Sequence, residues 1–298
     1  MGKSNIKFSK LIQSLIFYLK LLAFIGLTQT ARFITYLTGI TRLEVYLIKH
    51  FNTYFEKPVI GGRKGPEDYF LWQYANGSKI YNYMDDTEFT FNHKFVLDLG
   101  CGRGGKTAFY KSEGARSVIG VDLGHETLKI ASELSAKHVA GTDIYFLRAN
   151  ALNLPFNDDT FDHIILNDMV EHLFEKDLKQ ILLEMKRVIK GTGSIIIDFP
   201  PYYNRSGSHL YDYVYIPYCH LIFSEKALVD FCEKQASPFV IKQFLELNRL
   251  TASKFKNILT TVGLKPLSYK ILRNSHTFAR IPVIENLFIY RVFCVLHK

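Results

Sequence analysis

The chain has 298 residues, 48% of them apolar and 22% charged, enough for one full α/β domain with additions and too ordinary for a disordered or fibrous protein. Its four cysteines, Cys101, Cys219, Cys232 and Cys294, show no C-x-x-C or paired Cys/His spacing, which argues against a structural metal or a disulfide framework and for a reducing, cytoplasmic setting. The net charge of +9 is uneven: residues 1–65 carry ten bases against two acids while the rest is almost neutral, so no nucleic-acid-binding catalytic face is expected and any anionic partner belongs at the amino-terminal end.

From the amino terminus, Phe8, Leu11, Ile12, Leu15, Ile16, Leu19, Leu22 and Ala23 recur at helical spacing, with Lys3, Lys7 and Lys10 on the early polar face. The stretch from Leu11 to Leu27 barely reaches bilayer length and is interrupted by Gln13, Ser14 and Lys20. A lid on the catalytic domain, an interfacial helix and a membrane span are all open to it. The basic flank and apolar face predict peripheral contact of residues 1–30 with the inner face of a membrane. The Gly/Pro cluster Gly61-Gly-Arg-Lys-Gly-Pro66 predicts a joint, separating a helical appendage (1–65) from a catalytic domain (66–298).

Residues 95–107, Phe-Val-Leu-Asp-Leu-Gly-Cys-Gly-Arg-Gly-Gly-Lys-Thr, place a glycine-rich turn directly after an apolar strand, where nucleotides are gripped. Three spacings overlap: a dinucleotide fingerprint on Gly100, Gly102 and Gly105; a phosphate loop on Gly100, Gly105, Lys106 and Thr107; and D-x-G-x-G-x-G on Asp98, Gly100, Gly102 and Gly104. A carboxylate two residues before the first glycine repels polyphosphate, whereas it suits a cofactor with an ammonium and a sulfonium, S-adenosyl-L-methionine. On that reading Asp98 points into the crevice and Lys106 and Thr107 are ordinary first-turn residues. Ser117-Val-Ile-Gly-Val-Asp122 follows as a second strand whose terminal acid can chelate ribose hydroxyls, which a phosphate-loop ATPase does not need.

Three segments, Val96 to Gly105, Val118 to Leu123 and Arg148-Ala-Asn-Ala-Leu-Asn-Leu-Pro-Phe-Asn-Asp-Asp-Thr-Phe-Asp162, resemble the successive motifs of class I S-adenosylmethionine-dependent methyltransferases, nearest the ubiquinone and menaquinone biosynthesis group (methyltransferase type 11). Asn167-Asp-Met-Val-Glu-His-Leu173 resembles the segment after that group's fourth strand. The likeness covers roughly 95–200. It implies a seven-stranded, mostly parallel, doubly wound Rossmann-like sheet whose last strand is antiparallel, and a cofactor site of Asp98, Gly100, Gly102, Gly104, Asp122, Leu123, Asn150, Ala151 and Asn167. Asn150 stands where the family usually has Asp, and its amide oxygen can still accept from the adenine amino group.

Strands are predicted near 95–99, 117–121, 143–147, 161–166, 193–198, 266–272 and 287–296, with helices near 104–112, 125–139, 174–189 and 251–262. An insertion over about 200–249 carries Tyr211, Tyr213, Tyr215, Tyr218 and Phe223, readable as an aromatic substrate cover or as a packing layer, and Ser224 begins a capped helix within it. Methyl transfer to oxygen needs a base tuned near neutral pH; His209 and His172 are the candidates, with His220 weaker, and Gln73 and Tyr74 are placed to close over the cofactor. The expectation is methyl transfer to a small-molecule or lipid-linked acceptor, oxygen favoured. The alternatives are a P-loop NTPase using Gly100–Thr107, a dinucleotide enzyme, and a non-catalytic cofactor-binding module.

Overall fold

The computed structural model describes residues 26–57, 65–85, 88–139, 143–274 and 285–298. The helix predicted over residues 8–23 lies outside them. By contacts the chain divides into two units, one holding described residues 26–57 with 206–245, the other holding 65–205 with 246–298.

The second unit is a seven-stranded sheet in the order β3-β2-β1-β4-β5-β7-β6. Its strands are β1 (Phe95–Leu99), β2 (Ser117–Asp122), β3 (Ile144–Arg148), β4 (Phe161–Asn167), β5 (Ile189–Phe199), β6 (Lys265–Arg273) and β7 (Ile289–His297). β7 runs antiparallel to both neighbours, as the resemblance implies. The order reverses between β1 and β4, and that switch point opens a crevice beyond the strands' carboxyl ends.

The central strands read as continuous apolar runs because both faces are covered. Pleating sends Leu97 and Leu99 of β1, Ile164 and Leu166 of β4, and Ile195 and Ile197 of β5 into one core, while Val96, Ile165 and Ile196 between them enter the other. Helix α6 (Glu175–Val188) buries Leu178, Ile181, Leu182, Met185 and Val188 along one stripe, with Glu175 and Asp177 in its first turn and Lys186 and Arg187 in its last, complementing the helix dipole. Helices α3 (Pro66–Asn76), α4 (Gly105–Ser112), α5 (His125–His138) and α10 (Ala252–Thr261) also belong here. Thr251 caps α10 by accepting from the Lys254 amide.

In the first unit, residues 26–38 are helical (α1) and α2 spans Arg42–Asn52. The 206–245 stretch supplies α7 (Cys219–Ile222), α8 (Glu225–Cys232) and most of α9 (Pro238–Glu246). α2 packs on α8. Polar ties reinforce this contact: the fully buried Glu44 accepts from the Ser224 amide at 2.8 Å and hydroxyl at 2.7 Å, Thr41 donates to Asp230, and Asn52 bonds the backbone of Tyr213 and Tyr215. Ser224 caps α8, as expected. By contacts, residues 206–245 of the insertion group with the amino-terminal helices. Among the described residues no helix is long and apolar enough to cross a membrane.

Candidate functional site

The glycine turn after β1 folds back on its own framework. Gly100, Gly102 and Gly104 have φ of +77°, +53° and +78°, a region closed to most L-residues. The amides of Gly100 and Cys101 both donate to the Val121 carbonyl, the Gly102 amide donates to Asp122 Oδ2 at 3.0 Å, and the Gly104 amide donates to the Cys101 carbonyl. A phosphate loop works by leaving such amides free to converge on oxyanions. Here each is consumed within the protein, which removes the phosphate-loop reading. A Cβ on Gly102 would meet no atom within 4 Å, so open space lies over the turn for a ligand to approach the backbone.

Asp122, at the end of β2, also accepts from the Gly124 amide at 2.9 Å. A carboxylate has about four acceptor positions, so two are left for a pair of hydroxyls. Leu123 beside it is an exposed apolar side chain at the crevice rim. Past β3, exposed Asn150 accepts the Leu152 amide at 3.0 Å, keeping one lone pair and its NH2, and Ala151 is buried beside it. The Leu-Pro-Phe loop that follows is clamped by α6: Glu184 accepts the Leu154 amide, and Arg187 donates to the carbonyls of Leu154 and Phe156 and to Asp158. Part of that motif is thus scaffold.

Asp98 departs from its expected place. It is 3% exposed and sits beneath the turn, accepting from Thr107 Oγ1 at 2.6 Å, so it does not present its carboxylate to the crevice. Burial pushes its pKa up to about 6 against the Thr107 hydrogen bond and the nearby Lys106. Lys106 and Thr107 are correspondingly more than ordinary first-turn residues.

Lys106 reaches across the crevice to the end of β4, where its Nζ donates to Asn167 Oδ1 and to Asp168 Oδ2, the latter at 2.8 Å. Asp168 adopts φ +51°, with its amide held by the Asp198 carbonyl at 2.8 Å. Arg291 of β7 bridges Asp168 and Asp198, and Asn167 donates to Asp198 at 3.1 Å. Lys106 and Arg291 hold the carboxyl of the exposed Asp168 below its usual range; at Asp198, which is buried, burial wins and the pKa rises. These groups line a cavity of about 250 Å³ together with Trp72, Tyr83 and Tyr290. Gln73 packs against Gly105 at the start of α4, and its buried Oε1 has no hydrogen-bond partner. Tyr74 packs edge-on against Phe109, a core contact.

His172 ends a 3-10 turn (Val170–His172) after β4, and burial lowers its pKa. The preceding Glu171 is buried, and its pKa is raised well above the ordinary carboxyl range by burial and by Asp168. His209, at φ +55°, and buried His220 belong to the first unit. Of the insertion's aromatics, Phe223 is buried and Tyr211, Tyr213, Tyr215 and Tyr218 are half-buried, which leaves both readings of that stretch standing. Asp168, Asp198, Arg291 and Glu171 escaped the sequence-based site, and Lys106 entered it only through the phosphate-loop alternative. Only the acid ending β5, Asp198, had the signal that identified Asp122.

Residues 97–197 match the family described as "Methyltransferase domain". Methyltransferase GfsG of Streptomyces halstedii is 31% identical over 105 residues, 35% of this chain and 37% of that protein. The demethylmenaquinone methyltransferase of Lactiplantibacillus plantarum is 35% identical over 97 residues, 32% and 40% of the two chains, so the match spans well under half the length of both relatives. An S-adenosylmethionine-dependent methyltransferase from Mesorhizobium loti shares the fold with a TM-score of 0.51 and 15% identity, over 78% of this chain and 100% of that one. Over residues 97–197 the chain is thus similar to the methyltransferase domain family, and the strand order of its sheet agrees with that likeness.

Proposed function

We propose that this protein is a methyltransferase that binds S-adenosyl-L-methionine across the strand ends in the order β3, β2, β1, β4 and methylates a small-molecule or lipid-linked acceptor, oxygen being the favoured atom. The observation that carries the reading is the turn itself: its amides are tied inward, open space lies over Gly102, and Asp122 keeps two acceptor positions. Leu123, Asn150 and Ala151 suit an adenine edge, Asp122 suits the ribose, and Gly100, Gly102 and Gly104 allow close approach along the chain. Asn167 lies at the amino-acid end of that path, and Gln73 holds a buried spare acceptor beside Gly105. Asp98 acts from beneath, as a buried charge favouring a cation overhead.

When bound, the cofactor supplies a methyl group on a sulfonium, already a strong leaving group, which leaves the protein mainly the task of alignment. His172, held neutral by burial, is a competent proton acceptor for a hydroxyl presented at the end of β4. His209 is the second candidate, on the insertion.

A lipid-linked acceptor is favoured by the first unit. Phe33, Tyr36, Leu37, Ile40 and Tyr46 of α1, α2 and their connection are more than half exposed, and the sequence before them adds Lys3, Lys7, Lys10 and Lys20 with no acid. Such a surface suits anionic bilayers on the cytoplasmic side. The named substrate of the Lactiplantibacillus relative, demethylmenaquinone, is of that lipid class.

Mass spectrometry of ligand co-purified with the protein, with calorimetry against S-adenosylhomocysteine, ATP and NAD, tests the cofactor. Binding of the adenosyl amino acid alone is expected; ATP or NAD bound in its place defeats the reading. Cofactor affinity without turnover on any phenolic or lipid acceptor favours the non-catalytic module. Flotation with anionic vesicles is expected, and its absence at low salt ends the membrane assignment.

A further inference from the structure

A zwitterionic amino acid needs an anion and a cation set side by side, and the carboxylate first expected to serve it, Asp98, is sealed beneath the turn. The nearest pair open to the crevice is Lys106 with Asp168. Lys106 is the second residue of α4, directly after the glycine turn, and its side chain lines the cavity. Asp168 lies one strand over at the end of β4, with its side chain 45% exposed. Its backbone is left-handed, at φ +51°, a conformation uncommon for residues other than glycine.

Asp168 is also supplied with two cations, Lys106 and Arg291, while Arg291 has Asp198 as a second partner. Lys106 can therefore leave without stranding Asp168, since Arg291 stays. An incoming ammonium that takes the place of Lys106 at Asp168 exchanges one cation for another, and the released Lys106 needs one carboxylate. A free α-amino acid end provides both charges at the required separation, and the cavity's charge balance is unchanged.

We propose that the Lys106–Asp168 ion pair is the receptor for the amino-acid end of the cofactor, opening on binding so that Lys106 takes the carboxylate and Asp168 the ammonium. This rests on the cofactor reading above. It assigns the discrimination between a complete adenosyl amino acid and truncated adenosyl thioethers to two side chains outside the glycine turn.

Isothermal titration of the full chain with S-adenosylhomocysteine, its decarboxylated analogue and 5′-methylthioadenosine tests it. The unmodified protein is expected to bind S-adenosylhomocysteine at least tenfold more tightly than the decarboxylated compound. Lys106→Met is expected to weaken S-adenosylhomocysteine tenfold to a hundredfold while leaving the decarboxylated analogue and methylthioadenosine unchanged, with Lys106→Arg restoring most of the loss. Because the readout is a difference between ligands on one variant, a general loss of folding lowers all three affinities together and is recognised as such; Lys106→Arg then carries the test by retaining the carboxylate preference. Equal affinity of Lys106→Met and the unmodified protein for S-adenosylhomocysteine overturns the inference and leaves the cofactor reading intact. Failure of the unmodified protein to bind any of the three overturns both.

Discussion

Replacing Asp98 by Asn should make the protein more stable and a poorer cofactor binder at once. The carboxyl is buried beneath the turn and its pKa is pushed from an ordinary 3.8 to about 6. At about 1.4 kcal/mol per pH unit, keeping it ionised in the folded state costs roughly 3 kcal/mol. The folded-state value is the higher one, so the folded protein binds more protons than the unfolded chain between about pH 4 and 6. Stability from this group is accordingly full below pH 4 and lost as the pH rises through 6. Asn removes the charge while its amide oxygen still accepts from Thr107. The melting temperature of Asp98→Asn should exceed that of the unmodified protein by roughly 6–12 °C at pH 8 and by almost nothing at pH 4. Calorimetry at pH 8 should meanwhile show weaker S-adenosylmethionine binding, and the unmodified protein should itself bind more weakly below pH 6, where Asp98 protonates. A melting difference of the same size at both pH values, or a variant less stable at pH 8, refutes the assignment of a buried, costly charge.

Asp122→Ala frees the amides of Gly102 and Gly124 as well as removing the ribose partner, and a hundredfold or greater loss of S-adenosylhomocysteine affinity is expected by titration, with Asp122→Asn intermediate. Arg291→Met leaves Asp168 and Asp198 facing each other with Lys106 alone, which should cost about 3–5 kcal/mol in urea denaturation. Gly100→Ala drives a Cβ into Met169 Sδ at a φ of +77°, and should lower stability by about 1–3 kcal/mol in the same assay.

The sheet was readable because its signals are local. Runs such as Val96-Leu-Asp-Leu99 and Ile195-Ile-Ile-Asp198 can only be strands covered on both faces, and the predicted limits of β1, β2, β3 and β4 fall within one residue of those observed. β5 begins earlier, at Ile189, because Phe161 pairs with Ile189 before a register shift carries His163 to Ser194. The acid ending β2 was legible for the same reason as the strand that carries it. Lys106 was not, since its meaning depends on Asp168, 62 residues on, and through it on Arg291, a further 123 away. Asp98 illustrates the opposite limit: its type and position were clear, but whether a side chain at a strand tip faces outward or lies under the following turn depends on Thr107 and on packing. The partnership of α2 with α8 was equally hidden, because an amphipathic helix declares that it needs a cover without saying which distant segment supplies it.

That partnership orders events on the ribosome. Glu44 and Thr41 acquire their partners only when Ser224 and Asp230 have emerged, and the whole of residues 59–205 must be synthesised in between. At about 5–20 residues per second the nascent α2 waits on the order of ten to thirty seconds with its future contact face unsheltered. Throughout that interval the sheet-bearing unit is being completed strand by strand up to β5, while β7 and β6, which supply its last edge, are still to come. Trigger factors and holdases working on this chain therefore meet a bare helical surface early and an open sheet edge late.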